Sequence, residues 1–203
     1  MDNIVERNQG EQLRRTVRIN EEIRQVVRIS SGINLTAINA MLVAKRSGAR
    51  SAGYGVVSGE LRSFSGRLES IMLETSGLIS RMIGDVASLL NQKRSMARIG
   101  RASGMSEITA GLLEEAMESK HLALSGMQNR IRELGDRLGL HSETALRHCQ
   151  SGVALARSAK IESVYGGEMA GVLEQVSVEV EGRMLALFER LKSLSADVRA
   201  WQA

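Results

Sequence analysis

Residues 19–44 read Ile19-Asn20-Glu21-Glu22-Ile23-Arg24-Gln25-Val26-Val27-Arg28-Ile29-Ser30-Ser31-Gly32-Ile33-Asn34-Leu35-Thr36-Ala37-Ile38-Asn39-Ala40-Met41-Leu42-Val43-Ala44. Apolar or small residues recur at Ile19, Ile23, Val26, Ser30, Ile33, Ala37, Ala40 and Ala44, in unbroken steps of four and three. A repeat near 3.5 residues per turn keeps one stripe facing a partner along the whole helix, as in supercoiled helices packed on a seam. A half-buried strand needs alternation with a period of two, and no sustained run of that kind occurs. The stretch predicts a long helix with one buried stripe.

The same steps continue downstream. They run through Val57, Leu61, Phe64, Leu68, Ile71, Thr75, Leu78, Met82, Asp85 and Leu89. A third seam runs from Ala110 through Leu113, Met117, Lys120, Leu124, Met127, Ile131, Leu134, Leu138, His141, Ala145, His148 and Gly152 to Leu155. A fourth joins Leu173, Val176, Val180, Met184, Leu187, Leu191, Leu194, Val198 and Trp201 with one irregular step. The breaks are short: 47–53, 100–104 (with Ser103 or Ser106 as a helix cap) and 163–167. Short links force antiparallel neighbours. The expected fold is all-α, a long antiparallel four-helix bundle or coiled coil made of two helical hairpins, 1–99 and 105–203. An echo supports the pairing: Arg46-Ser47 lies eight residues before Tyr54-Gly55, and Arg157-Ser158 eight before Tyr165-Gly166.

Composition agrees. There is no proline, and the aromatics are Tyr54, Phe64, Tyr165, Phe188 and Trp201 alone, so nothing breaks a long helix from within. No window of about 18 uncharged apolar residues is evident, so no membrane span is expected. The N-terminus lacks a basic start followed by an apolar run, which excludes a secretory signal. One cysteine, Cys149, cannot form an internal disulfide and suits a reducing cytoplasm. The net charge of +4 is mixed along the chain. Two places are one-signed: Lys45, Arg46 and Arg50, and Lys93, Arg94, Arg98 and Arg101. A nucleic-acid binder would want a wider basic face with aromatics to stack bases, so none is expected.

Residues 34–62 continue through the first reversal as Lys45-Arg46-Ser47-Gly48-Ala49-Arg50-Ser51-Ala52, then Gly53-Tyr54-Gly55-Val56-Val57-Ser58-Gly59-Glu60-Leu61-Arg62. This stretch resembles the cytoplasmic hairpin tip of bacterial methyl-accepting chemotaxis receptors. Asn34, Ala37, Asn39, Ala40, Ala44, Arg46, Gly48, Gly53, Val56, Val57, Glu60 and Arg62 match that tip without a gap. The likeness covers about one seventh of the chain, and the rest agrees only in being heptad helix. Independently of it, seam alanines let helices approach closely. Asn39 is placed to satisfy backbone groups near the reversal. Gly48 and Gly53 permit the angles of a tight turn. Glu60 and Arg62 are placed to tie the two arms together.

The resemblance implies a cytoplasmic signalling scaffold, not an enzyme, whose tip contacts a CheA-type histidine kinase and a CheW-type adaptor. Leu35, Ile38, Leu42 and Val56 fall where that family places apolar contact residues, and Arg46 falls on an arginine used between receptors. Two tip glutamates of the family are Val43 and Ala49 here, and a basic residue is Ala52. The tip is therefore purely basic, and a surface shaped for the usual charges would bind it poorly. A receptor needs two chains for its bundle. With two hairpins of its own, this chain is expected as a monomeric bundle or a homodimer. Glu114-Glu115 and Glu174-Gln175 are weak likenesses of methylation sites.

Other chemistry finds little support. His141 and His148 are weak metal candidates, since seven residues place them about 10 Å apart along a helix, where one ion wants a spacing of three or four. Their simpler role is as buried, hydrogen-bonded residues that fix register. Cys149 and His148 are adjacent on one helix and point apart, which argues against a nucleophile pair. No cofactor is expected. The alternatives to a signalling scaffold are a structural or adaptor bundle without kinase coupling and a ligand- or metal-sensing bundle.

Overall fold

The computed structural model describes the backbone of residues 2–102 and 110–202 and the side chains of 14–99 and 117–200. It is helical almost throughout, as the seams predict. Helix α1 (Asp2–Arg46) passes through a 3-10 turn (Gly48–Ser51) into α2 (Ala52–Ala102), and α3 (Ala110–Ser163) passes through a second (Gly167–Met169) into α4 (Ala170–Gln202). With 51 residues, α2 is roughly 76 Å long. Each helix packs on two neighbours: α1 on α2 and α4, and α3 on α2 and α4. The result is a four-helix bundle around one continuous core. The end of α2 is helical to Ala102; the rest of the reversal at 100–104, Ser103 and Ser106 lie outside the described residues.

The α1 seam is buried at all its positions from Ile19 to Ala44. On α4, Leu173, Val180, Met184, Leu187, Leu191, Leu194 and Val198 are buried. Trp201, Ala110 and Leu113 lie outside the described side chains. On α3 half of the expected seam is one residue out. Leu134, His141, His148 and Leu155 are half-buried, while Gly135, Ser142, Cys149 and Ala156 take the inner row. On α2, Val57, Ile71, Asp85 and Leu89 are likewise half-buried beside a fully buried row of Ser58, Ser65, Met72, Ile79 and Val86. Small and polar residues occupy the closest approaches because only they fit there. The larger neighbours pack at the flanks.

The core therefore changes character along its length. Far from the two 3-10 turns it is built of Ile19, Ile23, Met72, Ile79, Met82, Leu138, Leu191 and Leu194. Towards them it is built mostly of Ala37, Ala40, Ala44, Ser58, Ala156, Ala159 and Ser177, with Tyr54, Leu61 and Leu173 as large fillers. Ion pairs sew the outside in antiparallel register: Arg190 to Glu22 at 3.1 Å, Arg18 to Asp197 at 3.7 Å, Arg130 to Asp85 at 3.8 Å. Such exposed pairs each contribute little to stability.

One helix departs from the expectation of no membrane-crossing stretch. Arg14–Arg46 is long and apolar enough by composition to cross a membrane, because no charge falls between Arg28 and Lys45. In the bundle, its stripe of Ile33, Ala37, Ala40 and Ala44 is buried against the other helices.

Candidate functional site

The first hairpin turn is built as its sequence requires. The Ser47 hydroxyl and backbone N–H both donate to the Val43 carbonyl, at 3.1 Å. Gly48 then takes φ +73°, the left-handed conformation that ends a helix and that side chains resist. Gly53, by contrast, is ordinary helix; its role is space, since a Cβ there would collide with the Glu162 carboxylate. Beyond the turn α1 and α2 run close together, and a Cβ on Gly55 would sit 4.0 Å from that of Ala44.

The second turn repeats the device. The Ser163 hydroxyl donates to the Lys160 carbonyl at 2.7 Å, and Gly167 takes φ +57°. Both turns lie at one end of the bundle and interlock: Glu162 sits over Gly53, and the Arg50 side chain passes within about 4 Å of where Gly167 would carry a Cβ. The sequence echo is not the structural one. Arg46-Ser47 ends α1 at the turn, whereas Arg157-Ser158 lies inside α3. Tyr54 is buried in α2, whereas Tyr165 is 62% exposed in the turn itself. Helix-ending glycines set the true correspondence, and they pair Gly48 with Gly167.

Tyr54 ties the hairpins together. Its hydroxyl lies 3.1 Å from the Leu173 carbonyl and 2.9 Å from Ser177 Oγ, which donates to the same carbonyl at 2.7 Å. Burial pushes the Tyr54 phenol above its ordinary pKa, and the Ser177 hydrogen bond offsets part of that rise.

The positions singled out by sequence divide clearly. Leu35, Leu42 and Val56 are 61%, 55% and 67% exposed, on the outer faces of α1 and α2. Ile38 is half-buried, and Asn39, Arg46, Glu60 and Arg62 are exposed. Two expected roles are not found. Among the described residues, Asn39 points to solvent and satisfies no backbone group, and Glu60 and Arg62 form no link to α1, because all three are exposed away from the α1–α2 seam. Sequence reasoning passed over Ile161 and Val164, which are 64% and 74% exposed beside Tyr165. The available signal was large apolar residues at a turn that glycines alone can make.

His148 fixes the α2–α3 register. Its ring stacks on Phe64 at 4.6 Å, and its Nε2 lies 3.1 Å from the Phe64 carbonyl, to which the N–H donates. Phe64 lodges over Gly152, where a Cβ would come within 2.7 Å of the ring. A groove of about 440 Å³ runs beside this pair, lined by Glu60, Arg67, Ser151 and Ser158. His141 faces Glu74 at 3.9 Å. Among the described residues no group of three His, Cys, Asp or Glu side chains is arranged to hold a metal. Burial pushes the Cys149 thiol up to about 12, so it is not a nucleophile at neutral pH.

No protein-family model matches the chain, and no curated protein matches it. The likeness of 34–62 to a receptor tip rests on its residues.

Proposed function

We propose that this protein is a chemoreceptor-like signalling scaffold acting in the cytoplasm, not an enzyme, whose hairpin tip contacts a CheA-type histidine kinase and a CheW-type adaptor. One observation carries the reading: Leu35, Leu42 and Val56, which fall on the resembled family's apolar contact positions, are large and well exposed. Nothing in the fold needs them there, since the α1 seam and Tyr54 supply the packing. Apolar side chains held out on a helical scaffold fit an interface with a protein partner.

The polar, small-residue core behind the tip suits a signalling role. Ser51, Ser58 and Ser65 each bury a hydroxyl without a hydrogen-bond partner, and an unpaired buried polar group lowers local stability. Changes in helix packing would reach the tip most easily through this half. The loss of both tip acids, at Val43 and Ala49, favours a second reading, an adaptor bundle that keeps the tip without kinase coupling.

Binding of the purified chain to a purified chemotaxis kinase–adaptor pair tests the proposal. Leu42→Asp and Val56→Asp are expected to weaken binding at least ten-fold without moving the unfolding midpoint. Failure of the unmodified chain to bind would remove the kinase from the proposal and leave the adaptor bundle.

A further inference from the structure

We infer that the second hairpin turn is half of the docking surface: Ile161, Val164 and Tyr165 form an apolar anchor beside the basic patch of Lys45, Arg46 and Arg50, and this end of the bundle takes a partner that presents acidic residues around an apolar site. The inference rests on the tip being a docking end, and adds the part of the surface that the resemblance does not reach.

The two turns form one surface. Glu162 sits over Gly53 and Arg50 lies against Gly167, so the exposed residues of one turn adjoin those of the other. Within five residues the second turn exposes Ile161, Val164 and Tyr165, each by more than 60%. The turn does not use them: its reversal comes from Gly166 and from Gly167 at positive φ, and its capping bonds come from Ser163 and the backbone. Large apolar side chains left exposed and clustered at the end of a bundle are the anchors of an interface. Tyr is well suited, because it contributes a wide contact area at small entropic cost.

Charge selects the occupant. Lys45, Arg46 and Arg50 are all exposed, with no acid between them in the chain. Of the acids at this end, Glu162 is folded against Gly53, Glu168 is exposed in the second turn, and Glu174 is exposed at the start of α4, as is the base Lys160 at the end of α3. A surface with net positive rim and apolar centre attracts acidic proteins and repels a second copy of itself.

A photo-crosslinking experiment in cells that make the full chain tests this. Benzoylphenylalanine is placed at position 165, at position 42 and, as a control far from the turns, at position 73, whose Leu73 is equally exposed. Captured proteins are identified by mass spectrometry and their affinity is measured with purified components. The expected result is the same acidic protein at 165 and 42 and none at 73. Tyr165→Ser and Arg50→Glu should each weaken its binding about ten-fold, with an unchanged unfolding midpoint. Capture at 42 but not at 165 overturns the inference and leaves the tip reading intact. Capture at both of an acidic protein that is neither kinase nor adaptor keeps the inference and removes the kinase reading. Capture of a second copy at 165, or binding unchanged by Arg50→Glu, overturns the inference, and capture at neither position overturns both.

Discussion

The Tyr54 hydroxyl, three residues into α2, lies 3.1 Å from the Leu173 carbonyl at the start of α4. A residue that belongs by sequence to the first hairpin thus reaches its partner in the second, and the two turns are held level by a buried polar contact. Tyr54→Phe keeps the ring and removes the hydroxyl. Ser177 still donates to Leu173 at 2.7 Å, so no acceptor is orphaned, and the loss should be about 1 kcal/mol. Urea unfolding of Tyr54→Phe, Ser177→Ala and the double variant measures it. Additive losses would mean that the two hydroxyls do not interact.

Glycines in the middle of the helices separate by what lies over them. Gly152 makes room for Phe64 and Met184, and a Cβ would come within 2.7 and 3.0 Å of them. Gly152→Ala should destabilise the fold by up to about 2 kcal/mol, because crowding of about 1–3 kcal/mol outweighs a helix-propensity gain near 1. Gly84 has nothing within 4 Å of its Cβ position. There the same substitution should stabilise by about 0.5–1 kcal/mol. Unfolding midpoints of opposite sign at the two positions would verify the packing of Phe64 against α3.

How far the sequence displays this fold depends on residue size. The α1 seam is legible because its core positions are Ile, Val and Ala spaced without competition. On α3 the inner row is Gly135, Ser142, Cys149 and Ala156, residues that carry little hydrophobic signal. The eye follows the larger Leu134, His141, His148 and Leu155 one residue away. Close helix approach selects small residues, and so erases the pattern by which a core is usually found. The reversals at 47–53 and 163–167 are readable from glycine and serine chemistry, whereas the Tyr echo matches letters and not helix ends. At the tip, likeness to receptor tips singles out Leu42 and Val56, which are exposed. It does not reach Tyr165 and Val164, whose exposure at a turn depends on how two distant hairpins meet.

Cys149 gives a pH dependence of definite sign. Its thiol is pushed by burial from 9.0 to about 12 in the fold, and in the unfolded chain it titrates near its ordinary value. Below about pH 8 both states hold the proton, and the thiol's contribution is fully present. Between pH 9 and 12 the unfolded chain ionises first, so stability falls as pH rises, by up to about 1.4 kcal/mol per pH unit. Comparing urea midpoints of the unmodified chain and Cys149→Ala at pH 8, 9 and 10 isolates the effect. The stability difference between them should be constant up to about pH 8, begin to shift by pH 9, where half of the unfolded thiols are ionised, and move clearly in favour of the variant by pH 10. A difference that stays flat to pH 10 would place the thiol in contact with water.

The buried serines decide whether the tip half of the bundle is soft by design. Ser51, Ser58 and Ser65 bury hydroxyls that find no partner, while Ser30 donates to the Ser65 carbonyl at 3.2 Å. Replacing an orphaned hydroxyl with hydrogen removes a desolvation cost and improves helix propensity. Ser58→Ala and Ser65→Ala should therefore stabilise the protein by about 1 kcal/mol each. Ser30→Ala, which breaks a bond, should destabilise it by a similar amount. Amide hydrogen exchange locates the change. In the unmodified chain, 37–65 should exchange faster than the large-residue core around Met72 and Ile79, and the paired serine replacements should slow it selectively. If the tip half of α1 and α2 already exchanges as slowly as the rest, the serines do not soften it, and transmission by repacking loses its physical basis. If the replacements slow exchange and also fix kinase output at one level, the unpaired hydroxyls are what keep the bundle switchable.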